Sequence, residues 1–70
     1  DSDIAALVRE KGGERITALI NRGDIAHTVY ADGKAEELLS GMKGDSFALE
    51  GMSALLLKTA DGTKIKVVAK

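Results

Sequence analysis

The sequence predicts an all-β domain, a sandwich or barrel of short antiparallel strands. Three observations carry that prediction. Eight glycines fall mostly between short apolar runs, the layout of strands separated by tight turns. Several runs alternate apolar and polar residues, the period of a half-buried strand. A hydrophobic content of 44% with no proline belongs to a chain that folds.

Taken in order, residues 3–10 form the first run, closed by Lys11-Gly12-Gly13-Glu14. In residues 15–21, Ile16, Ala18 and Ile20 share a face expected to be buried, with Arg15, Thr17 and Asn21 opposite. Arg22-Gly23-Asp24 separates these from residues 25–31, in which His27 alternates with Val29. Asp32-Gly33 reads as a turn before residues 35–40, and residues 41–45 as a polar loop. In residues 46–50, Phe47 and Leu49 alternate with Ser46, Ala48 and Glu50. Gly51-Met52 precedes residues 53–59, whose Leu55-Leu56-Leu57 has the continuous apolar character of a strand buried on both faces. Asp61-Gly62 signals a type I′ hairpin turn, leading into residues 63–70. There Ile65 and Val67 alternate with Lys64 and Lys66. The rival is an α+β fold with one or two short helices. Lys34 to Leu39 have high helix propensity behind Asp32 as a cap, and residues 3–10 could start from Ser2 or Asp3. The Gly12-Gly13 break limits the latter to about two turns, too short to stand without strong tertiary support.

A chain of 70 residues makes one small domain with little stability in reserve. It has no cysteine, which removes disulfides and thiolate metal sites. Ten basic and eleven acidic residues leave a net charge of −1, no footprint for nucleic acid or an anionic membrane. No apolar run reaches the length of a membrane span. The chain opens on Asp1-Ser2-Asp3 without a signal peptide or an initiator methionine, as a fragment or processed product would, and leaves a cytoplasmic or a secreted setting open.

Each candidate site has a plainer reading. Arg22-Gly23-Asp24 spells an integrin signal, but Asn21 and Asp24 suit a local side-chain turn in which Gly23 supplies positive φ. His27 is the single histidine, too few for a histidine metal site; it reads as a strand-surface or hydrogen-bonded residue. Asp1, Asp3, Asp24, Asp32, Asp45 and Asp61 do not follow a calcium-loop spacing. Glu36 and Glu37 point to opposite faces of a strand and cannot flank one bond, so both are expected to be solvated. Gly12-Gly13 and Gly41 with Gly44 match no phosphate loop. Lys64, Lys66 and Lys70 read as a solvated edge. No catalytic, cofactor-binding or metal residue is therefore assigned, and no cofactor is expected. Tyr30 and Phe47 are the two aromatics, too few for a stacking platform.

The order of pieces resembles the C-terminal domain of α-amylase-superfamily glycoside hydrolases over about residues 3–58. Residues 3–10, a glycine turn, then Glu14 through Asn21-Arg22-Gly23-Asp24 resemble that domain's opening hairpin. Glu37-Leu38-Leu39-Ser40-Gly41 and Phe47-Ala48-Leu49-Glu50-Gly51-Met52-Ser53-Ala54-Leu55-Leu56-Leu57 resemble its middle and late segments. The usual prolines before the late serine are replaced by Glu50-Gly51-Met52, and residues 63–70 extend past the point where many such domains stop. The resemblance implies an antiparallel Greek-key β-sandwich of about seven to eight short strands. Residues 1–70 would be a single accessory domain, the C-terminal fragment of a larger enzyme. Its partner would be a catalytic (β/α)8 barrel that supplies all the catalytic carboxylates, with α-glucan as a further possible ligand. The rival is an independent carbohydrate-binding or protein-interaction module. In either case Ile16, Ile20, Val29, Leu39, Phe47, Leu49, Leu55 and Leu57 are expected to fill the core, with Ile65 and Val67 closing one end.

Overall fold

A computed structural model describes residues 3–69. Among them are six strands and no helix: β1 (Ile4–Lys11), β2 (Glu14–Asn21), β3 (His27–Glu37), β4 (Lys43–Leu49), β5 (Ser53–Ala60) and β6 (Ile65–Ala69). The all-β expectation holds, with fewer strands than the seven to eight anticipated. The main reason is Asp32-Gly33, which does not turn the chain. It lies inside β3, where the register with β4 shifts between Tyr30 and Ala35, so two expected strands are one bent strand. Lys34 through Glu37, the strongest helical candidate, belongs to the same strand. Ser2 and Lys70 lie outside the described residues.

All pairings are antiparallel, in the order β1-β2-β5-β3-β4 with β6 also on β3. The β1–β2 hairpin closes on Gly12 and Gly13 at φ 60° and 82°, the positive pair that a two-residue primed turn requires. The strand β5 returns to lie between β2 and β3. The bend in β3 then creates the second layer. Its first half, His27–Ala31, pairs with β6, and its second half, from Ala35 to Glu37, pairs with β5 on the same side. The sheet thereby folds on itself, a strand changing layers at a bulge. Ile65 and Val67 of β6 face Ile4, Ala6, Thr17 and Leu19 of β1 and β2 across a cleft of about 310 Å³.

The Asp61-Gly62 turn departs from expectation. Only Gly62 of the pair has positive φ, at 91°, and Thr63 N–H donates to Ala60 O at 3.2 Å. That is the φ pattern of a type II turn, and β6 does not pair with β5. The chain leaves β5 for the edge of β3 instead. Arg15 braces this crossing, with its guanidinium 2.7 Å from Glu10, 3.3 Å from Asp61 and 3.1 Å from Thr63 O.

Leu19, Val29, Ala35, Phe47, Leu49 and Leu57 form the buried core, with Leu55, Ile65 and Val67 packed against it. The expected core is corrected in β2 and at Leu39. In β2 it is Thr17, Leu19 and Asn21 that point inward and Ile16, Ala18 and Ile20 outward. Asn21 must enter the interior to tie down its loop, and the period of two carries the whole strand with it. Leu39 sits in the turn after β3 and is 70% exposed.

Candidate functional site

The Arg22-Gly23-Asp24 segment hangs from Asn21. The buried Asn21 amide donates from Nδ2 to Ile25 O at 2.8 Å and Glu50 O at 3.1 Å, and its Oδ1 accepts from Gly23 N–H at 3.0 Å. Gly23 O accepts from Met52 N–H at 2.8 Å, and Arg22 N–H donates to Asp3 O at 2.9 Å. This is an Asx turn locked to the β4–β5 connection, not a protruding loop. The role assigned to Gly23 needs correction, because its φ is not positive. What it has is a near neighbour: a Cβ there would meet Asp3 Oδ2 at 2.5 Å.

The second buried polar anchor is Glu37, expected to be solvated and in fact 3% exposed. Its Oε1 accepts from Ser40 N–H and Ser40 Oγ–H, each at 2.8 Å, and its Oε2 from Leu56 N–H at 2.7 Å. Burial pushes the carboxyl up, but the donors from Leu56, Ser40 and Leu39 outweigh it and hold the group below the ordinary glutamate range. Glu37 thus caps the turn after β3 and binds it to β5. His27 is likewise buried, with Nδ1 2.9 Å from Ile25 O; a carbonyl only accepts, so that nitrogen carries the proton. Both residues hold backbone. Among the described residues, no three His, Asp or Glu side chains are placed to share a metal ion. Asp1 and Lys70 lie outside the described residues. Lys64 and Lys66 are exposed, as expected of a solvated edge.

The feature suited to recognition is the outer face of β1, β2 and β5. The registers Leu7↔Ala18↔Leu56 and Ala5↔Ile20↔Ala54 set apolar side chains in adjacent rows, with Arg9, Ile16 and Lys58 in the next. Leu7 is 67% exposed, and Ile16, Ala18 and Leu56 are half-buried around a shallow depression of about 320 Å³. One end is ringed by charge: Lys58 lies 3.6 Å from Glu14, and Glu36 is paired in register with both Lys58 and Lys43. The other outer face, on β3, β4 and β6, presents Thr28, Tyr30, Ser46, Ala48, Lys66 and Val68, a far more polar set. The expectation that Leu55-Leu56-Leu57 is buried on both sides is met only inside: Leu57 is fully buried, while Leu56 lies on the open outer face. Alternation in β2 pointed to Ile16 and Ile20, and these apolar residues line this face instead of the core.

No family model, no curated protein and no solved structure matches this chain.

Proposed function

We propose that this chain is a non-catalytic docking domain that covers a larger folded partner with the outer face of β1, β2 and β5. The observation that carries the reading is the apolar row Leu7–Ala18–Leu56, flanked by Ile16 and Ile20 and ringed by charge at one end. An apolar centre with a polar rim is the anatomy of a protein interface, and exposed contiguous apolar surface marks an interaction site. The continuous leucines of β5 suit a strand whose two faces are both covered once the partner is in place. The sequence resemblance supplies the partner: the (β/α)8 barrel of an α-glucan-acting glycoside hydrolase. A sugar-binding role has less support, since Tyr30 is the one exposed aromatic among the described residues and sits on the other outer face.

The test is complementation with the catalytic barrel of the longer gene product, expressed without this segment. Mixing the two should give a one-to-one complex and a barrel of higher Tm, and Leu56→Glu should abolish both effects. A gene product without such a barrel, or a barrel indifferent to the chain, overturns the proposal. The purified chain alone should hydrolyse no starch or pullulan.

A further inference from the structure

Among the described residues, three strands end the pairing order with a free edge: β1, β4 and β6. Free edges invite pairing with another chain, and proteins discourage this with charges, proline or bulges. The edge strand β4 carries Lys43 and Asp45, and β6 carries Lys66 just after Lys64. From Ile4 to Val8, β1 has no charge, and its ladder to β2 runs through eight successive pairs without a bulge. Leu7 and Val8, on opposite faces of this edge strand, are 67% and 59% exposed. A partner lying on one face of the sheet would cover only one of them. A partner strand at the edge would cover both.

We propose that this partner is β1 of a second copy, paired antiparallel with Ala6 of one copy opposite Ala6 of the other. A two-fold axis perpendicular to the sheet keeps each face continuous, so odd residues meet odd and even meet even. Centred on Ala6, the ladder sets Ile4 against Val8 and Ala5 against Leu7. The next pair out is Asp3 against Arg9, opposite charges on one face, a favourable cross-strand pair. Centring on Leu7 would set Ala5 against Arg9 and Ile4 against Glu10, apolar against charged. Centring on Val8 would set Leu7 against Arg9 and Ala6 against Glu10. The pattern of β1 therefore selects one register, in which the apolar stretch is matched end to end and closed by charge on both sides. A single strand edge buries less than the roughly 1,200 Å² of a standard interface, so the dimer is reversible and concentration-dependent. It joins the outer faces of the two copies into one surface while leaving Leu56 outside the new ladder, which separates it from the docking reading above.

The experiment is sedimentation velocity of the 70-residue chain from micromolar to millimolar concentration, with far-ultraviolet circular dichroism on every variant to confirm the fold. The wild type should shift from monomer to dimer. Ala6→Lys sets like charges opposite each other at the axis and should weaken dimerisation about tenfold or more, while Leu56→Glu should leave it unchanged. Register is read by disulfide capture, since the chain has no cysteine. Ala6→Cys should oxidise to a covalent dimer much faster than Glu10→Cys. A wild type that stays monomeric at every concentration overturns the proposal, as does a dimer indifferent to Ala6→Lys or equal capture at both positions.

Discussion

The backbone of Gly51 lies against the backbone of Asp24: a Cβ on Gly51 would fall 2.8 Å from Asp24 Cα, carbonyl carbon and oxygen. Those atoms cannot swing away, because the Asn21 hydrogen bonds fix the loop that carries them. Gly51→Ala should cost about 1–3 kcal/mol, the usual cost of overpacking. At Gly23 the obstructing atoms belong to the Asp3 side chain, nearest its carboxylate oxygen, which can turn about its own torsions as backbone cannot, so Gly23→Ala should cost less than about 1 kcal/mol. Urea midpoints of the two variants check the order, and a reversed order would show that the Arg22-Gly23-Asp24 turn depends on its own glycine after all.

Asn21 both donates and accepts inside the fold. Asn21→Ala leaves Ile25 O, Glu50 O and Gly23 N–H without it, at about 1–3 kcal/mol. Asn21→Asp is no repair. A carboxylate can still accept from Gly23 but cannot donate to the two carbonyls, and it buries a charge. The Asp variant should therefore lose further stability as pH rises through its carboxyl pKa, where the wild type shows no such loss. Chemical denaturation across pH reads this directly.

For Glu37 the dependence has the opposite sign. Its folded-state pKa is lowered, so its contribution is present above the unfolded pKa and disappears as pH falls through the folded value. Glu37→Ala, which strands Leu56 N–H and Ser40 N–H, should cost about 1.5–3 kcal/mol at neutral pH. The deficit relative to wild type should shrink on acidification. A deficit that stays constant from neutral pH down to strong acid would show that the carboxylate charge is not what holds this turn.

Leu49 and Leu57 are fully buried. Truncating either to alanine should cost about 2–5 kcal/mol, much of what a domain of this size has in reserve. Leu39→Ala, at an exposed turn, should fall within about 0.5 kcal/mol of wild type. Thermal melts of the three variants side by side test the corrected core.

Much of the fold was legible because local chemistry and tertiary demand agree there. Gly12-Gly13 is a hairpin turn in both readings, and Phe47 and Leu49 bury the face their alternation indicates. The misreadings have a common cause. In β2 the outward face carries Ile16, Ala18 and Ile20 and the inward face only Leu19 beside Thr17 and Asn21, so composition pointed to the wrong side. The choice of side was made by Asn21, whose carbonyl and amide partners come from the loop ahead of it and from Leu49 and Glu50 where β4 ends. The same kind of long-range contact hid Glu37, whose partner Leu56 lies on another strand. Asp32-Gly33 and Asp61-Gly62 look alike in sequence, yet one bends a strand and the other sends the chain between layers. What distinguishes them is which edge of β3 is already occupied, a property of the assembled sheet. The apolar outer face, the proposed docking surface, was concealed by the assumption that apolar alternation always marks the interior.

The double use of β3 also governs how the molecule is made. Neither of its neighbours on that side, β5 or β6, is adjacent to it in sequence, and β5 must in addition reach back to β2. Large loops have to close before these ladders repay the lost entropy, which places folding in the range of about milliseconds to seconds. Without β3 the only locally closed unit is the β1–β2 hairpin, marginal by itself in water, and β5 joins it only by closing a long loop. Val29, gripped by Phe47 on one side and Val67 on the other, should therefore act early: Val29→Ala slows refolding in stopped-flow experiments. Val8→Ala, on the outermost strand, chiefly hastens unfolding. A circular permutant opened inside β3 should not fold at all, whereas one opened at Gly41 keeps the strand whole and should fold.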